Sequence, residues 1–70
     1  MNSEQSRWTF QPNADCVARA RSAAAEFAVM CGFYRPVAED IRLAVGEACN
    51  NAVEHAGSAH EIVVECSYSD

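Results

Sequence analysis

The reading of this chain turns on Asp40-Ile41-Arg42-Leu43-Ala44-Val45-Gly46-Glu47-Ala48-Cys49-Asn50-Asn51-Ala52-Val53-Glu54-His55-Ala56. Ile41, Ala44, Val45, Ala48, Ala52 and Ala56 recur with the helical period and form one apolar stripe. Pro36 stands where a helix can begin and Gly57 where one can close, which predicts a helix over residues 37–56. Gly46 inside it costs about 0.5–1 kcal/mol relative to Ala, so it serves either close helix packing or the approach of a ligand. Beside the stripe, within an arc of about 100°, lie Asp40, Glu47, Asn51, Glu54 and His55. Glu47 and Asn51 are four residues apart, as are Asn51 and His55, a spacing that sets Cβ atoms about 5–6 Å apart. The Asn51 carboxamide oxygen is a hard, neutral ligand suited to Mg²⁺. Glu47 can take a proton from a water or hydroxyl that attacks phosphorus. His55 can hydrogen-bond a phosphate or orient the ridge. A solvated helix face with incidental charges has the same pattern.

Upstream, residues 1–6 are polar and expected to be loose. Residues 7–11 alternate, with Trp8 and Phe10 on one side, as in a short half-buried strand. Pro12, Asn13 and Asp15 supply turn and helix-start chemistry. The helix that follows, residues 14–31, has an inward stripe of Val17, Ala20, Ala24, Phe27, Ala28 and Cys31, and Gly32 suits its C-terminal cap. Downstream, residues 61–68 alternate again: Ile62, Val64, Cys66 and Tyr68 face one way, Glu61, Val63, Glu65 and Ser67 the other. The expected order is strand, helix, helix, strand.

Composition removes several function classes. Of 70 residues five are Arg and none Lys, against ten acidic side chains, for a net charge of −5. No P-loop lysine, Schiff base or lysine nucleophile is available. The acidic balance excludes the basic footprint of a nucleic-acid or anionic-membrane binder. The length permits at most one small domain or part of one. Its 50% hydrophobic content overstates the core, because Ala matches Leu, Ile, Val and Phe together in number. Cys16, Cys31, Cys49 and Cys66 include no C-x-x-C pair, and with His55 and His60 they lack the close pair that nucleates a zinc site. They read as small buried hydrophobes. Neither a secretory leader nor a run of apolar residues long enough to span a membrane is seen, so a cytoplasmic setting with reduced thiols is expected.

Glu47-Ala48-Cys49-Asn50-Asn51-Ala52-Val53-Glu54-His55 matches every position of E-A-x-x-N-A-x-x-H. The longer string around it closely resembles the N-box of the histidine-kinase-like (GHKL) ATPases, and most of all that of the bacterial anti-sigma-factor serine kinases. The resemblance covers most of residues 7–68. It implies an α+β fold, the first half of the two-layer α/β sandwich called the Bergerat fold, with residues 7–70 as the N-terminal half of the domain. It also implies ATP and Mg²⁺ as cofactors. Asn51 would coordinate the Mg²⁺ that bridges the phosphates, Glu47 would act as or position the general base for a protein serine hydroxyl, and His55 would take a phosphate-side or orienting role. In phosphoryl transfer, positioning and charge neutralisation provide most of the catalysis.

The family's adenine-binding Asp lies in a D-x-G-x-G box after the next strand. The only glycines here are Gly32, Gly46 and Gly57, and Asp70 has nothing after it. The 70 residues therefore carry the Mg²⁺-and-base half of a nucleotide site without the nucleobase half. Three readings follow: the N-terminal portion of an ATP-dependent serine kinase and anti-sigma regulator; a non-catalytic interaction module that docks on a partner through its helices and open strand edge; or a small helical protein with a coincidental N-box. The resemblance implies a sigma factor or an anti-sigma-factor antagonist as protein partner, and a second copy of the chain is a further expected partner.

Overall fold

A computed structural model describes residues 3–56 and 61–69 of the protein. Gly57, expected to close the second helix, and His60 and Asp70 lie outside the described residues. Four elements follow one another: strand β1 (Ser3–Phe10), helix α1 (Ala14–Met30), helix α2 (Arg35–Ala56) and strand β2 (Ile62–Ser69). The strands pair antiparallel, with Trp8 opposite Val64 and Phe10 opposite Ile62. One face of this two-stranded sheet meets the helices. Trp8 stands edge-on to Phe27 of α1 at 6.3 Å, and Tyr68 edge-on to Phe33 of the interhelical turn at 5.3 Å. The fold is the α+β arrangement expected from the order of elements.

Residues 3–6 do not form a loose leader. Ser3 to Ser6 continue β1, facing Ser69 to Cys66 across the ladder. Their polarity marks an exposed strand end, and ladder hydrogen bonds are made by backbone groups whatever the side chains. Outside the helices, Arg7 and Glu65 form an exposed cross-strand pair at 3.9 Å, worth at most about 1 kcal/mol.

Local chemistry sets the limits of α1. Asn13 has extended backbone angles (φ −131°, ψ 178°), and its Oδ1 accepts from the Asp15 and Cys16 amides at 3.0 and 3.1 Å. Two of the amides that a helix leaves without an internal partner are thereby satisfied. At the other end, the Gly32 amide donates to the Val29 carbonyl and the Phe33 amide to the Ala28 carbonyl. These are the two bonds of a Schellman cap, and Gly32 supplies its positive φ of 95°. Helix α2 begins two residues before the expected start, so Pro36 falls in its first turn, where an N–H would have no helical acceptor. Asn13→Ala is expected to cost about 1 kcal/mol and to lower the melting temperature by roughly 4–8 °C, measurable by circular dichroism.

The core is built from small side chains. Cys16, Ala20, Ala24, Ala25, Phe27 and Ala28 of α1 meet Ala38 and Cys49 of α2, and Ile62 closes the sheet side. Of the expected α1 stripe Ala20, Ala24, Phe27 and Ala28 are buried, Val17 and Cys31 are half-buried, and Cys16 and Ala25 take buried places that the pattern did not assign. On α2 the most buried positions (Ala38, Gly46 and Cys49) face α1. Ile41, Val45, Ala48 and Ala52 instead border cavities toward β2. The helix thus has two apolar faces where the sequence pattern suggested one. A Cβ on Gly46 would stand 2.9 Å from Cδ of Arg21, so the glycine makes room for the arginine stem between the helices. Of the two reasons expected for Gly46, the structure supplies helix packing.

Burial pushes the Cys49 thiol above its ordinary range, helped by the neighbouring Cys16 thiol. Cys66 is raised by burial and by Cys31. The folded chain therefore holds these protons more tightly than the unfolded chain does. That contribution is complete below the ordinary thiol range and is lost as pH rises through the raised values. The melting temperature is expected to fall between about pH 8 and pH 10, and Cys49→Ala to remove part of the fall.

Candidate functional site

The 22-residue helix α2 carries every candidate residue. Glu47, Asn51 and His55 are exposed and sit on successive turns, with Asp40 and Glu54 on the same side. An offset of four residues advances about 6 Å along the axis, so the three side chains form a line roughly 12 Å long by the same geometry. Among the described residues, none of these three side chains takes part in a hydrogen bond or ion pair within the chain. The Asn51 carboxamide and the Glu47 carboxylate are both free to meet something outside the chain.

The ridge borders the sheet side of α2. Ala48 and Ala52, which flank Asn51 on the helix surface, line a cavity of about 270 Å³ with Val45, Cys49 and residues 62–65 of β2. A second cavity of about 400 Å³ lies further along β2, between Ile41, Phe27, Phe33 and Tyr68. Glu47, Asn51 and His55 lie on the next face of α2 round from this apolar side and line neither cavity.

The donor set bears on what ion could sit here. Among the described residues, no three His, Cys, Asp or Glu side chains converge as a ready metal cage. A zinc or calcium site needs several protein ligands, whereas Mg²⁺ keeps waters and phosphate oxygens and takes only one or two protein oxygens. One carboxamide oxygen with a carboxylate a turn away fits that requirement. His55 lies in the last turn of α2, where a cation or hydrogen-bond donor is favoured by the helix dipole.

Sequence reasoning gave Arg21 no role. Its Nε is buried beside Gly46 without a hydrogen-bond partner among the described residues, a cost of about 1–3 kcal/mol. The small residues at 38, 46 and 49 signalled that a neighbouring helix comes close. Nothing in the sequence said which side chain would fill the gap.

Among the described residues, no helix is long and apolar enough to cross a membrane. Comparison with known proteins gives one family: a model of the histidine kinase-like ATPase domain matches residues 10–70. No curated protein and no solved structure matches the chain.

Proposed function

Because the chain belongs to the histidine kinase-like ATPase domain family, we propose that α2 forms the phosphate side of a Mg·ATP site of the protein-serine-kinase, anti-sigma type. The observation that carries this reading is the exposed line of Glu47, Asn51 and His55 on α2, none of them paired among the described residues.

In this reading Asn51 offers its carboxamide oxygen to Mg²⁺. The ion neutralises phosphate charge when bound. Glu47 stands one turn earlier and takes the proton of the attacking serine hydroxyl. His55 donates to a phosphate oxygen at the C-terminal end of the line. The protein partner is a sigma factor or its antagonist, and the setting is cytoplasmic, in keeping with four free thiols.

A second reading, a non-catalytic module that docks on a partner, is favoured by one feature: the sheet has two strands, so their outer backbone edges are unpaired among the described residues. The two readings separate by calorimetry with Mg·ATP, Mg·GTP and Mg·tripolyphosphate. The phosphate-side reading expects all three to bind about equally, at millimolar strength and only with Mg²⁺. Absence of any Mg²⁺-dependent binding would leave the docking module. Micromolar binding selective for ATP would contradict a site confined to the phosphate side.

A further inference from the structure

Two thiols that the nucleotide reading does not use meet at the junction of the helical layer and the sheet. Cys31 caps the C-terminus of α1, its amide donating to the Phe27 carbonyl at 3.0 Å. Cys66 stands on β2 opposite Ser6 of β1, on the sheet face that meets the helices. Both thiols are free and half-buried.

Two aromatic contacts fix how the layers are aligned. Phe27, one turn before Cys31, stands against Trp8, whose ladder partner is Val64. Phe33, two residues after Cys31, stands against Tyr68. Residues 64, 66 and 68 follow one another along the inward face of β2, so Cys66 falls midway between the two contacts. Cys31 falls between the same two contacts on the helical side. The Cys31 thiol also raises that of Cys66, as a near neighbour that ionises to the same charge does. A disulfide needs its Cβ atoms within about 4 Å. The cavity of about 400 Å³ lined by Phe27, Phe33, Cys66 and Tyr68 leaves room for that approach, and the end of a helix adjusts at little cost. The other two thiols, Cys16 and Cys49, are 2% and 4% exposed and closed to a dissolved oxidant.

We propose that Cys31 and Cys66 form a reversible oxidation site, closed to an intrachain disulfide by hydrogen peroxide. One thiolate attacks a peroxide oxygen and breaks the O–O bond, giving a sulfenic acid and a hydroxide that leaves as water with the thiol proton. The second thiolate attacks the sulfenic sulfur, forms the S–S bond and expels hydroxide, which leaves as water with the second proton. The two sulfurs together lose two electrons and the peroxide gains them. The bond ties the end of α1 to β2 and closes a loop that contains all of α2, a covalent staple for a core built largely from Ala. Thiols that hold their protons tightly are slow nucleophiles and poor leaving groups, so the bond forms slowly and resists exchange.

Mass spectrometry and melting of the full chain, before and after hydrogen peroxide, test this. The oxidised chain is expected to lose two hydrogens in mass and remain a single chain. Cleavage after Arg and Glu, which separates all four cysteines, is expected to yield two peptides joined through Cys31 and Cys66. The melting temperature is expected to rise by about 10 °C or more and to return with excess dithiothreitol. Cys31→Ser and Cys66→Ser are each expected to abolish the rise and to leave a sulfenic acid on the remaining thiol, trapped by dimedone. An unchanged mass, a bond between Cys16 and Cys49, a bond between chains, or oxygen added without any bond overturns the proposal. So does a Cys31–Cys66 bond that fails to raise the melting temperature.

Discussion

Phe27→Ala is expected to leave the chain unfolded at 25 °C. Phe27 is 8% exposed and holds Trp8 edge-on at 88°. Losing a buried phenyl ring costs about 3–5 kcal/mol in transfer and cavity terms, and the aromatic pair adds about 0.5–1.5 kcal/mol. A core of this size supplies no more than roughly 3–5 kcal/mol in total. The surroundings cannot compensate, because among the described residues five of the nine buried core side chains are Ala and a methyl group cannot move far enough to fill the space. Far-ultraviolet circular dichroism and urea titration give the readout: the variant is expected to lack a cooperative transition. A cooperative transition with near-native midpoint would mean that the helical seam alone holds the fold. Ala24→Gly makes a milder comparison, expected to lose about 1 kcal/mol through helix propensity while keeping the transition.

Asn51→Ala carries the second large effect. Asn51 is exposed on α2 and has no hydrogen-bond partner among the described residues, so its removal is expected to leave melting within about 0.5 kcal/mol of wild type. If its carboxamide holds the phosphate-bound ion, the same substitution is expected to abolish Mg²⁺-dependent binding of triphosphate in calorimetry. Glu47→Gln keeps the shape of the ridge and removes the base. It is expected to retain most of the binding, since a base contributes chiefly when the proton moves. A variant pair that behaves identically would place the ion elsewhere.

Most of the fold was written locally. Asn13, Gly32 and Pro36 each sit at a helix end whose backbone geometry requires a residue of that kind, and each does there what its chemistry suggests. The alternation of β2 likewise gave its inward face of Ile62, Val64, Cys66 and Tyr68. The extent of β1 was harder to read. Ser3 to Ser6 pair through backbone groups with residues some sixty positions away, and no local pattern records such a ladder. The two-faced burial of α2 was hidden for a related reason. Ala, Cys and Gly carry little hydrophobic signal, so the seam of Ala38, Gly46 and Cys49 was outweighed by Ile41 and Val45 on the sheet side. The site was legible as a line on one helix, because four-residue spacing is sequence information. Which side of α2 would meet the sheet depended on where β2 lay, and that is tertiary.

Mn²⁺ in place of Mg²⁺ offers the most direct test of the central claim, that α2 presents a phosphate-bound divalent ion to Asn51. With ATP present, paramagnetic broadening of the amide resonances is expected to centre on Asn51. It should extend to Glu47 and His55 and fade toward Arg35 at the start of α2, about 24 Å along the helix axis. The pattern should depend on ATP and be absent in Asn51→Ala. Broadening spread over the exposed carboxylates without need of ATP, or centred away from Asn51, would contradict the account.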